Sequence, residues 1–205
     1  MKKENKESEI LQAAERLFAE KGFKGATTTL IASEAGVTHA MLHYYFRTKE
    51  HIFLKVLDLY MSGIWSELKR IMAPDFYDIG LIRKATEVIF DFFSEHRGQM
   101  ALLMEVAKER PDLLRDYVSD SGRYLGSAFS AHRERIDRAV KEGIIRDITF
   151  NDLFMDIISV CSVPFIFEPV LSNMTGMDEN RRKMFLEARK KEAVELISAR
   201  LRPEK

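Results

Sequence analysis

The first quarter of the chain contains a set of side chains suited to hydrogen bonding with phosphate oxygens and base edges: Thr28, Thr38, His39, His43, Tyr44, Tyr45 and Lys49. Hydroxyls, ammonium groups and helix N-termini are the usual donors to a nucleic-acid backbone. No Asp or Glu occurs from Ala35 to Lys49, so a polyanion meets no repulsion there. Thr38, His39 and Tyr44 are candidates for a groove and its walls. Thr28, His43, Tyr45 and Lys49 are candidates for phosphates, although Tyr45, like Phe46, also suits a core. An imidazole such as His43 can donate to either target and ionises near neutrality.

These groups need elements to hold them, and the segment Thr27 to Glu50 supplies the signals. Thr27 or Thr28 can N-cap a helix by accepting from an orphan backbone N–H. Leu30, Ile31 and Ala35 then give that helix one apolar face. Gly36 ends it, since glycine enters the left-handed region without a Cβ penalty. Val37 fills the angle, Thr38 caps a second short helix, and Thr48 before Lys49 and Glu50 caps a third. Upstream, Ile10, Ala13, Ala14, Leu17 and Phe18 form one stripe of a helix over about Lys6 to Lys21. Downstream, a long helix from Lys49 to about Met72 carries Ile52, Phe53, Val56, Leu57, Tyr60, Ile64 and Leu68, and Ala73-Pro74-Asp75 stops it.

The run GFKGATTTLIASEAGVTHAMLHYYFRTKEHIF resembles the N-terminal domain of the tetracycline-repressor (TetR) family of bacterial transcriptional regulators. The resemblance rests on Gly22-Phe23, Thr27 and Thr28, Ile31-Ala32, Ala35-Gly36-Val37, Tyr45-Phe46 and Lys49-Glu50, and covers about the first 60 residues. Ala40 stands where that family often has Gly, and His43 where it often has Tyr. The resemblance implies an all-α chain of about nine helices. A helix-turn-helix DNA-binding domain over 1–50 would be joined by a long helix to an effector-binding and dimerisation domain over 51–205. It also implies a homodimeric repressor that binds a palindromic double-stranded operator and is released by a small apolar or amphipathic effector.

Composition sets bounds on this expectation. The chain has 205 residues, 46% hydrophobic and 31% charged, as in ordinary globular protein. Lys+Arg and Asp+Glu both number 32, and the first 60 residues hold nine basic and eight acidic side chains. Phosphate contacts should therefore be few and local rather than a broad basic field. The charged start MKKENKESEI lacks the apolar run of a signal peptide. The longest charge-free apolar stretch, Ile157 to Phe167, falls short of the ~18 residues a membrane span needs. The single cysteine, Cys161, fits a reducing compartment. A cytoplasmic protein away from membranes is the expectation.

Catalytic and metal-binding spacings are missing. No His has a Glu three residues before it, as a di-iron bundle would need. His-Glu-x-x-His, Cys-x-x-Cys, Gly-x-Ser-x-Gly and a phosphate-cradling glycine loop are also absent. No cofactor, metal or enzymatic activity is expected. An unrecognised active site in the C-terminal half is the weaker alternative, and a regulator controlled by a protein partner instead of an effector is another.

Helical periodicity continues through the remaining chain, over about Ile79 to Glu95, Arg97 to Lys108, Pro111 to Glu142, a helix capped by Thr149 running toward Ser172, and Asp178 to Arg200. Phe90, Phe93, Met100, Met104, Tyr117 and Tyr124 are rich in Met and aromatics and could line an effector cavity. The helix after Thr149 is apolar nearly all round, which demands burial on more than one side. Phe154, Ile158, Phe165, Phe185, Ala193 and Ile197, on the last two helices, are the candidates for a homodimer interface.

Overall fold

The computed structural model describes residues 2–71 and 78–203, with side chains at 2–5, 116 and 118–129 left undescribed. All regular structure among the described residues is helical. The helices are α1 (Lys2–Gly25), α2 (Thr28–Glu34), α3 (His39–Tyr45), α4 (Lys49–Ile71), α5 (Ile79–Glu95), α6 (Arg97–Glu109), α7 (Pro111–Lys141), α8 (Phe150–Thr175) and α9 (Glu179–Leu201). The expected stop at Ala73-Pro74-Asp75 lies outside the described residues. α1 is broken at Gly22, whose φ of 68° and ψ of 176° no helix contains. The regular helix thus ends close to Lys21, and a further turn follows the break.

The chain forms two compact units: Met1–Gly63 with Gly98–Gly122, and Ile64–Arg97 with Arg123–Lys205. In the first, Ile10, Ala14, Leu17 and Phe18 of α1 meet Ile31 and Ala32 of α2, Leu42 and Phe46 around α3, and Ile52, Phe53 and Val56 of α4. The rings of Phe18 and Phe23 stack on each other and both meet the Phe53 ring edge to face, with centroids 5.3 to 5.9 Å apart. Such rings contribute about 3–5 kcal/mol each, judged by truncation to Ala. α6 and α7 complete this core with Leu102, Val106 and Leu113.

In the second unit α5 lies against α8 and α9. Ile82, Ala85, Ile89, Phe90 and Phe93 meet Leu153, Ile157, Cys161 and Phe165 of α8 and Leu186, Ala193, Val194 and Ile197 of α9. Phe165, Ala193 and Ile197, expected at a partner's surface, are therefore core of their own chain: their faces of α8 and α9 turn toward α5. Phe154, Ile158 and Phe185 are half-buried. The apolar side chains that α8 and α9 leave exposed include Met155, Val163, Ile166, Phe167, Val170, Met174, Met184 and Leu196.

α8 is long and apolar enough to cross a membrane by length and composition, with 33% of its apolar window buried. It runs as one helix through Pro164 and Pro169. Each proline lacks an N–H, so the carbonyls of Val160 and Phe165 lose their helical partners. One carboxylate sits in its buried side. Glu168 is 1% exposed and is held by Arg182 of α9 at 2.5 and 3.0 Å and by the Ser172 hydroxyl at 2.5 Å. Arg97 approaches it at 3.7 Å. Hydrogen bonding from Arg182 holds the Glu168 carboxyl below the usual carboxylate range. Burial pushes the Cys161 thiol up to about 12.

Candidate nucleic-acid interface

Three threonines start the three helices of the site. Thr27 Oγ1 accepts from Leu30 N–H at 3.2 Å and Thr38 Oγ1 from Met41 N–H at 3.2 Å. Thr48 Oγ1 accepts from His51 N–H at 3.1 Å. Between the first two helices Gly36, with φ 61°, turns the chain. Its N–H reaches Ser33 O at 3.1 Å and Val37 N–H reaches Ala32 O at 3.0 Å, the paired bonds of a Schellman stop. The positive φ is what the glycine supplies.

The turn sets α3 so that Leu42, with Phe46 just beyond, is buried, while His39, Ala40, His43 and Tyr44 are exposed. Tyr44 is 71% exposed. Its ring lies 5.3 Å from that of Tyr45, which packs against the core while half-buried, leaving only part of it accessible. The His39 and His43 rings meet edge to face, 4.4 Å apart. Thr28, at the first turn of α2, bonds His39 Nε2 at 3.1 Å, so one predicted phosphate contact and one predicted groove contact share a hydrogen bond. His43 Nδ1 lies 3.0 Å from the Arg47 carbonyl oxygen. A carbonyl only accepts, so Nδ1 carries the proton, and Nε2 is the nitrogen left for a further partner, accepting in the neutral ring and donating to a phosphate in the imidazolium form.

Lys49 sits differently from a free phosphate ligand. Its ammonium donates to the Phe23 carbonyl at 2.8 Å and lies 4.3 Å from the Phe23 ring centroid. It spans the start of α4 and the end of α1, with further donors left for a phosphate. Two residues that no local signal marks also reach this corner from α6 and its end. Glu105 accepts from the N–H groups of Phe23 and Lys24, and Arg110 pairs with Glu50 at 3.1 Å.

The predicted effector residues are divided between the two compact units. Phe90 and Phe93 are core of the second unit, whereas Tyr117 packs on the core of the first. Met104 is 49% exposed, Met100 is half-buried, and the side chain of Tyr124 lies outside the described residues. The second unit instead has a half-open cleft of about 230 Å³ between α5 and α9, with Phe90 and Leu186 beside Asp91, Arg97, Arg182 and Lys183.

Comparison with known proteins agrees with this geometry. Residues 10–56 match the family model for bacterial regulatory proteins of the tetR family. The transcriptional repressor NicS of Pseudomonas putida is 29% identical over 156 residues, spanning 74% of this chain and 72% of that protein. The repressor KstR2 of Mycolicibacterium smegmatis is 24% identical over 53% of either chain. The chain spans about half, or less, of the length of several such relatives. Among solved structures, the hemolysin II transcriptional regulator HlyIIR superposes with a TM-score of 0.66 at 24% identity, over 98% of this chain and 99% of that one. The ketosteroid regulator KstR2 of Mycobacterium tuberculosis gives 0.64 at 15% identity, over 97% and 95%.

Proposed function

We propose that this chain, whose residues 10–56 match the tetR family model, is a DNA-binding regulator that acts in the cytoplasm as a homodimeric repressor. Two copies bind one palindromic operator. The reading is carried by one observation: behind a Schellman turn, α3 presents an exposed, acid-free face of His39, His43 and Tyr44, flanked by three threonine-capped helix starts. His39 and Tyr44 work in the groove, and Thr28, His43 and Lys49 at the phosphates. Tyr45 contributes the part of its ring edge that remains accessible.

A second copy suits a two-fold operator and the molecule's surface. A two-fold dimer supplies two reading heads for two half-sites one helical turn apart. The apolar residues that α8 and α9 leave exposed, Val163, Ile166, Phe167 and Val170 among them, make a strip that such a partner would cover. A small amphipathic effector acts on the second unit and favours an arrangement whose heads no longer match the half-site spacing.

Salt dependence tests the phosphate assignment. With the formal charge balanced, a log–log plot of affinity against salt between 50 and 200 mM should slope by only about −3 to −6 per dimer. A flat line would contradict phosphate contacts.

A further inference from the structure

The hairpin α2–α3 is a loop of chain whose two ends are pinned together and held by residues far away in sequence. At one end, Phe23 N–H donates to Glu105 Oε2 at 3.2 Å and Lys24 N–H donates to Oε1 at 3.3 Å. These are the first two donors after the break at Gly22. A Cβ on Gly22 would lie 2.5 Å from Glu105 Oε2, so a larger residue there would push the carboxylate aside. At the other end, Lys49 donates to the Phe23 carbonyl, and the adjacent Glu50 accepts from Arg110 at 3.1 Å.

Arg110 returns the connection to α6, its N–H donating to Val106 O at 2.8 Å. Its guanidinium also grips Asp112 at 2.9 Å. Burial raises the Glu50 carboxyl, but backbone hydrogen bonding and Arg110 outweigh it and hold Glu50 below its ordinary value. The contacts form a closed ring through Glu105, Phe23, Lys49, Glu50 and Arg110, and the whole of α2 and α3 is strung between two of its members.

We propose that Glu105 and the Glu50–Arg110 pair are positioning residues for DNA reading, so that the end of α6 sets the angle at which α3 is presented. Neither carboxylate needs to touch DNA. Each acts through the backbone or side chain that it holds. The inference rests on the DNA-binding reading above, and its sign separates it from a simple charge effect. Removing a carboxylate near a polyanion strengthens binding to every duplex. Loosening the ring weakens binding to the matched duplex alone.

The test uses the full chain with two labelled duplexes of equal length, one enriched by the parent chain from a random pool and one unrelated. In conditions where circular dichroism shows the variants folded, Glu105→Ala and Glu50→Ala should each weaken the enriched duplex roughly tenfold, the worth of a charge-assisted hydrogen bond. The unrelated duplex should be unaffected or bound slightly more tightly. Glu105→Gln, which keeps one of the two acceptors, should recover part of the loss. If Glu105→Ala does not fold, Glu50→Ala alone decides. Enriched-duplex binding as tight as the parent's would overturn the proposal, as would equal losses on both duplexes that follow a fall in melting temperature. Failure of the parent to enrich any duplex would instead overturn the reading on which the proposal rests.

Discussion

Residue chemistry at the site was partly legible in the sequence and partly reassigned by contacts that no spacing reveals. The caps Thr27 and Thr38 and the glycine stop at Gly36 are local devices, so their signals lie within a few residues and the structure shows each in place. Lys49 is the opposite case. Its position beside the turn suggested a phosphate ligand, yet its ammonium sits on the Phe23 carbonyl and ring, a contact across 26 positions that periodicity cannot encode. Lys49→Ala should therefore weaken binding to every duplex through the lost phosphate contact, weaken the matched duplex further through the loosened ring, and lower unfolding stability by about 1 kcal/mol through the lost hydrogen bond and cation–π contact. Chemical denaturation that shows no loss of stability would mean that the Phe23 contact contributes nothing.

Helices were the most legible level, because caps and breakers bound them, but the faces of α8 and α9 were not. A helix apolar nearly all round does not say which side meets its own core and which meets a partner. That is why the pattern offered Phe165, Ala193 and Ile197 for a dimer interface although each is buried within its own chain. The element most exposed to test is α8, through Glu168. Its folded pKa is lowered by Arg182, so its contribution to stability is full above the unfolded carboxyl value of about 4.3 and is lost as pH falls through the lower folded value. Glu168→Gln should thus be less stable than the parent at neutral pH, with the gap closing between about pH 5 and pH 3. Arg182→Ala leaves a buried carboxylate without its main partner and should destabilise the chain at neutral pH more than at about pH 3. A gap independent of pH would show that the pair contributes no charge-linked stability.

At the scale of the molecule, the division after residue 50 inferred from sequence differs from the compact units. Met1–Gly63 is joined by Gly98–Gly122, because Leu102, Val106 and Leu113 bury themselves in the core beneath the reading head. Those contacts link segments about 50 residues or more apart, beyond the reach of any periodic pattern, and they make α6 part of the head. Formal charge, balanced at 32 against 32, gives no sign of DNA binding at this scale. The sign lies in the local face of α3. The most direct measurement of the central claim is selection of bound duplexes from a random pool by the full chain, followed by sequencing. The account predicts enrichment of a two-fold symmetric site whose half-sites lie about one helical turn apart, roughly 10 base pairs centre to centre. Enrichment of no sequence, or of a single unpaired half-site, would contradict it.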